Sequence, residues 1–330
     1  MVRYAIGVDL GGTNCRAALG DEKGNLLDKL SEKVAKASGR TGISKQISAM
    51  INSLIEKYTD TKIEGIGIGS LGPLDLKKGI IIEAANLPDL YNVPLVEPVE
   101  KKFGLPVYLL NDCSAAVVGE KYFGDGKEVD NLVYVTISSG IGVGVIVDDH
   151  LLFGKDGNVS ELGHQTIDST DSRRCACGRL GHWEAYCSGR GIPKYVRDLI
   201  TNDKRAGESL LMELAGNPDN LNAKLIYESA KQKDELSSEI VDKLGRLNAI
   251  GFSNIINAYD PSLITVGGSV ALNNPKLIIE PIKKYVVDYA LNRIPEINIT
   301  SLGGDIVLFG AIATVFHHDN IFPTKSFLDV

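Results

Sequence analysis

A chain of 330 residues, 44% hydrophobic and 23% charged, carries enough apolar material for more than one core, and two domains are the expected organisation. The formal net charge of −7 and pI near 5.4 argue against nucleic acid as the main partner, and no apolar run reaches the ~20 residues of a membrane span. Five cysteines, three of them crowded between Cys175 and Cys187, do not make the disulfide framework of a secreted protein, so a reducing cytoplasm is the expected compartment.

The opening MVRYAIGVDLGG carries one Arg and a short apolar run that breaks at Asp9 and Gly11, which reads as a buried strand rather than a signal peptide. Ile6 and Val8 precede a Gly-rich turn; Cys15, Ala17 and Leu19 follow it on a second strand, and GDEKGN turns the chain into a third. In residues 41–58, Ile43, Ile47, Ile51, Leu54 and Ile55 share one helical face. KIEGIGIGSLGPLD is a strand running into a Gly-Pro loop. PVYLLNDCSAAVVGEKYFG is a buried strand ending at Asn111 with a helix starting just after. This succession fits an α/β domain with a mixed sheet.

NLVYVTISSGIGVGVIVDDHLLFG, residues 131–154, echoes the strand–turn–strand pattern of residues 5–27, in architecture rather than in residues. Helical signals dominate from about 190 to 258, and Pro261 stops them. SLITVGGSVALN is a strand opening into a Gly turn; DIVLFGAIATVFHH reads as a strand end followed by a helix. The repeat places a boundary near 112. The expected domains are a small one over 1–112, joined by a C-terminal helix of about 310–330, and a large one over 113–309.

DLGGTN, Asp9 to Asn14, has the composition of an anion-binding turn. Two glycines let backbone amides approach a phosphate, and Thr13 and Asn14 add a hydroxyl and an amide. Asp9 suits Mg²⁺, directly or through water, and also suits a simple turn cap. TISSGIGVG (136–144) and VGGS (266–269) are two further loops of this type, and none of the three is a Walker loop. Asp112 follows a strand end, where a carboxylate can accept a hydroxyl proton; the same position suits the N-cap of the next helix. In CACGRLGHWEAYC, residues 175–187, Cys175, Cys177 and His182 have spacing a zinc ion can use, with Cys187 as a rival ligand and a redox pair or structural thiols as alternatives.

Three Gly-rich loops in this order, with the NDCSAA and ELGH strings, make the chain resemble a sugar kinase of the ROK (repressor, open reading frame, kinase) family in the actin/hexokinase ATPase superfamily. The likeness runs from about residue 4 to about 316. The resemblance implies an α/β, two-domain, actin-like (ribonuclease H-like) fold with a cleft between domains. It assigns Asp9, Gly11, Gly12, Thr13 and Asn14 to the phosphates of ATP and its Mg²⁺. Ser138, Ser139 and Gly140 assist there, and Gly267 and Gly268 approach the nucleoside. Asp112 becomes the base that takes the proton of the sugar hydroxyl, a role compatible with capping. Asn86 of NLPDLYNVPL, Asn111, Glu161 and His164 of ELGH, and Glu184 become sugar contacts. The family's string H-x(10)-C-x-C-G-x-x-G-C-x-E implies a structural Zn²⁺ on His164, Cys175, Cys177 and His182, with His182 standing where the family has its third Cys.

The implied activity is transfer of the γ-phosphate to the 6-hydroxyl of glucose or a close relative. An N-acetylmannosamine or N-acetylglucosamine kinase is the alternative, and a non-catalytic sugar-binding member is a third reading. The family's repressors carry a helix-turn-helix ahead of the first loop. With eight residues before Asp9, none is expected here. Partners are a hexose and ATP, with neither nucleic acid nor membrane, in a homodimer or homotetramer.

Overall fold

The computed structural model describes residues 2–83, 87, 89–170 and 173–322. Asn86, and the last eight residues of the expected C-terminal helix, lie outside them. The chain divides into two compact units: Met1–Tyr134, Gly144–Ser160 and Ser301–Val330 form the first, Val135–Val143 and Glu161–Thr300 the second.

The first unit holds a five-stranded sheet in the order β3-β2-β1-β4-β8, with β1 Tyr4–Leu10, β2 Asn14–Asp21, β3 Leu26–Lys33, β4 Ile63–Ser70 and β8 Val107–Asn111. β1, β2 and β3 are antiparallel neighbours joined by short turns, whereas β1, β4 and β8 run parallel. A parallel pair needs a crossover, and α1, Gly42–Lys57, supplies the first one. It buries Ile43, Ile47, Ile51 and Leu54, with Ile55 half-buried at the edge of that face. The second crossover contains a small sheet of β5 Leu74–Asp75, β6 Ile80–Glu83 and β7 Tyr91–Pro94, then α2, Val96–Phe103; neither had a clear signal in the sequence. α3, Asp112–Phe123, follows β8.

The C-terminal helix, Ile306–Ile321, belongs to this unit and lies on β1 and β4 and against α3. Its contact with α3 is backbone to backbone: a Cβ at Gly310 would fall 1.6 Å from the Ala115 carbonyl oxygen. This packing is why α3 sides with the first unit, and why the unit does not end at 112. The residues DIVLF, expected as a strand end, are the beginning of this helix. They are apolar on nearly every side because the helix is buried, so no period distinguished helix from strand.

The second sheet runs β11-β10-β9-β12-β13, with β9 Leu132–Ile137, β10 Ile141–Val147, β11 His150–Leu151, β12 Leu263–Gly267 and β13 Glu296–Ile299. Strand for strand it repeats the order of the first sheet, so the faint echo in the sequence is a repeat of topology. The helices of the second unit are α4 Glu184–Cys187, α5 Gly191–Ile200, α6 Leu210–Ala215, α7 Ala223–Lys231, α8 Glu235–Tyr259, α9 Ser269–Asn273 and α10 Pro275–Tyr285. α8 ends as expected: Asp260 turns left-handed at φ 45° and Pro261 follows. Among the described residues no helix is long and apolar enough to cross a membrane, and all five cysteines are free thiols.

Candidate functional site

In the first unit the register of the parallel strands sets the site. Leu10 of β1 pairs with Ser70 of β4, and Ser70 pairs with Asn111 of β8. The DLGGTN turn and Asp112 therefore leave the sheet at the same carboxyl edge, where open α/β sheets bind ligands. The turn is closed by the Gly11 amide donating to the Asn14 carbonyl at 3.0 Å; Gly12 is half-buried, and Thr13 and Asn14 are exposed.

Asp9 is 7% exposed. It faces Arg16 across the β1–β2 pair, and the Arg16 guanidinium donates to its Oδ2 from Nε at 2.8 Å and from a second nitrogen. Arg16 also donates to the Gly304 carbonyl at 2.7 Å and to Asp305 at 3.0 Å, and Lys29 reaches Asp305 at 2.7 Å. Burial pushes the Asp9 carboxyl above its ordinary range, and Arg16 opposes that shift. Arg16 was not singled out from the sequence. The signal was present: in a hairpin with a four-residue turn, the residue two places beyond Asn14 faces Asp9.

Asn111, rather than Asp112, caps α3. Its Oδ1 accepts from the Cys113 amide at 2.9 Å, while Asp112 is the first helical residue and its own Oδ1 lies 2.8 Å from that amide. The Gly-Pro loop lies beside this cap, since a Cβ at Gly72 would fall 3.4 Å from Asn111 Nδ2. Asn158 holds the loop like a strand partner: its Oδ1 accepts from the Leu74 amide at 2.8 Å and its Nδ2 donates to the Leu74 carbonyl at 2.8 Å.

In the second unit the two remaining Gly loops meet. The Ser138–Gly140 turn between β9 and β10 is closed by the Ser138 amide donating to the Gly140 carbonyl at 2.9 Å. Ser138 Oγ lies 3.1 Å from Ser269 Oγ, just past Gly267 and Gly268. Beside them opens a cavity of about 540 Å³ lined by Ser138, Ser139, Arg190, Lys224, Glu228 and Lys231 among others. Its lining carries three cations, Arg190, Lys224 and Lys231, against one carboxylate, Glu228, which suits a phosphorylated ligand.

The Cys/His cluster is also in this unit. Nδ1 of His164, Nδ1 of His182 and the thiols of Cys175 and Cys177 all lie within 4.8 Å of one another. Zinc bonds of ~2.05 Å to nitrogen and ~2.3 Å to sulfur imply tetrahedral edges of about 3.3 Å for N···N and about 3.6 Å for N···S. The observed edges are 3.3 Å between the two imidazoles, 3.7 Å from His164 to Cys175 and 3.3 Å from His182 to Cys177. These three of the six edges are close to those of a zinc tetrahedron. Burial pushes the Cys175 thiol above its ordinary value in the absence of a metal. Cys187 turns away, its thiol donating to the Leu244 carbonyl at 3.7 Å.

His164 offers its other nitrogen, Nε2, at 4.0 Å from Glu161. Glu184 stands between the cluster and the Gly loop: Oε1 is 3.9 Å from Cys175 Sγ, and Oε2 accepts from the Ile141 amide at 2.9 Å. Trp183, fully buried, anchors this stretch on α8 by donating to Asn248 Oδ1 at 2.9 Å.

The ROK family model matches residues 5–317. A glucokinase of Pyrobaculum calidifontis is 39% identical over 316 residues, covering 96% of each chain, and a glucokinase of Thermotoga maritima is 33% identical, covering 87% of this chain and 88% of the other. A crystal structure of a ROK family glucokinase from Streptomyces griseus, in complex with glucose and AMPPNP, superposes with a TM-score of 0.78 at 32% identity, over 94% of this chain and 98% of that one.

Proposed function

The chain belongs to the ROK family, and from that membership and the two sites we propose that it is an ATP-dependent sugar kinase acting on the 6-hydroxyl of glucose or a close relative. The observation that carries this reading is the common edge of Leu10, Ser70 and Asn111, which brings a phosphate turn and a strand-end carboxylate together. The glucokinase relatives and the glucose- and AMPPNP-bound structure support glucose and ATP as the substrates.

Phosphoryl transfer requires positioning and charge compensation more than covalent help from the protein. In this reading the DLGGTN turn holds the terminal phosphates, and Asp112 orients the attacking hydroxyl and takes its proton. With Asn111 supplying the cap, Asp112 is not required as the capping side chain. Mg²⁺ bound with ATP neutralises phosphate charge, and Asp9, steadied by Arg16, is the group that would hold it. Ser138, Ser139 and the cavity beside them receive the rest of the nucleotide. Asn86, Asn111, Glu161, His164 and Glu184 hold sugar hydroxyls. His164, Cys175, Cys177 and His182 would hold a structural zinc ion, which would fix the orientation of the His164 ring and leave its Nε2 for the sugar.

The test is ADP release with ATP–Mg²⁺ over a panel of hexoses and N-acetylhexosamines. Glucose should be turned over, and Asp112→Asn should lower kcat by about 10²- to 10⁴-fold with little change in glucose binding. No turnover of any sugar by zinc-replete protein would refute the reading. Preference for an N-acetylhexosamine would select the alternative kinase.

A further inference from the structure

We propose that Glu184 is a positioning residue for the Ser138–Gly140 loop, and through it for the donor nucleotide, in addition to any contact with the sugar. The inference rests on the kinase reading for its ligand but not for its geometry. Family resemblance places this carboxylate on the acceptor sugar. The structure places it on the backbone at the end of the Ser138–Gly140 turn.

Oε2 of Glu184 accepts from the Ile141 amide at 2.9 Å, across 43 residues of sequence. Ile141 is the first residue of β10, directly after the Ser138–Gly140 turn. The carboxylate occupies the space where a side chain at position 140 would sit, since a Cβ there would fall 2.6 Å from Oε2. A side chain at position 140 would therefore displace the Glu184 carboxylate from the Ile141 amide. The same stretch of chain grips the other end of the turn, for the Gly189 amide donates to the Ser138 carbonyl at 2.7 Å. With the Ser138–Ser269 hydroxyl contact, the turn is pinned from three directions. The bond from Glu184 is the charge-assisted one, and such bonds are about twice as strong as neutral ones.

A carboxylate this close to a phosphate loop would repel the ligand if it faced it. Its use here is steric and orientational: it fixes the last amide of the turn and so the direction of the preceding ones. Glu184 comes two residues after the zinc-set residue His182, so the Cys/His cluster sets where the carboxylate stands. One residue then contacts both the Cys/His cluster and the Ser138–Gly140 loop.

The experiment measures affinity for a fluorescent ADP analogue without sugar, and amide hydrogen exchange over 138–141 without ligand, in wild type, Glu184→Ala, Glu184→Asp and Glu184→Gln. Loss of the anchoring bond should weaken ADP about tenfold and speed exchange at Ile141 in Glu184→Ala. Glu184→Asp keeps the charge but falls short, and should behave like Glu184→Ala. Glu184→Gln keeps an acceptor oxygen at full reach and should stay within about threefold of wild type, while its sugar KM still rises. Unchanged exchange at Ile141, or unchanged ADP affinity, in both Glu184→Ala and Glu184→Asp overturns the proposal. So does a Glu184→Gln protein as damaged in both as Glu184→Ala. A wild-type protein that binds no adenine nucleotide overturns the kinase reading instead, and the ligand-free exchange still decides whether Glu184 anchors the loop.

Discussion

Arg16 holds the carboxylate of Asp9 from the opposite strand of the first hairpin, and the same guanidinium reaches Asp305 and the Gly304 carbonyl at the start of the C-terminal helix. The residue expected to serve the nucleotide's metal is thus already part of a four-charge network with Lys29.

Removing that guanidinium takes a cation away from a buried carboxylate, so the Asp9 pKa, already raised by burial, should rise further. Asp9 must be ionised to serve a cation. Arg16→Gln should therefore move the acid limb of the kcat/KM profile to higher pH, by about one unit or more, and weaken activity most at low pH. A pH–rate profile in saturating Mg²⁺ checks this. An acid limb that stays in place would dissociate Asp9 from the step.

Metal removal should act on more than stability. Chelation, or Cys175→Ala, should lower the melting temperature by several degrees and raise the sugar KM about tenfold, because His164 and Glu184 both depend on the cluster. His182→Cys should keep one zinc per chain, because either side chain completes a tetrahedron. His182→Ala should lose it. Metal content and melting curves on the same samples check the set.

Ser160 is a left-handed residue at φ 66°, and its buried hydroxyl has no hydrogen-bond partner among the described residues. Both features favour glycine, offset in part by the greater freedom of glycine in the unfolded chain. Ser160→Gly should stabilise the protein by about 1 kcal/mol, a rise of roughly 2 °C in melting temperature. Calorimetry checks it, and a destabilised variant would show that the hydroxyl has a role.

Asn158 pairs with both polar groups of Leu74 and so holds the Gly-Pro loop beside Asn111. Asn158→Leu should raise the hexose KM five- to tenfold through two lost bonds, leaving the KM for ATP unchanged. Asn158→Asp keeps the acceptor and should fall between. Equal losses for both substrates would mark a general structural defect instead.

The sequence by itself determined β1 to β4, β8 to β10 and β12, the three Gly loops between or after them, and a faint echo of the duplicated strand–turn–strand order; it set the cap before α3 on Asp112, one residue past the Asn111 that makes it. These are local properties, written in alternation, turn chemistry and spacing. His164 entered the metal set only through resemblance, and the structure then brought its Nδ1 to 3.3 Å from that of His182. The tertiary structure alone decided that Glu184 reaches the loop 43 residues earlier, that Arg16 reaches Asp305 across 289 residues, and that the C-terminal helix closes on α3. Such pairs leave no local trace, because each partner's own neighbourhood would read the same if the other were elsewhere. The buried C-terminal helix failed for the opposite reason: apolar nearly all round, it has no periodicity to read until packing shows what surrounds it.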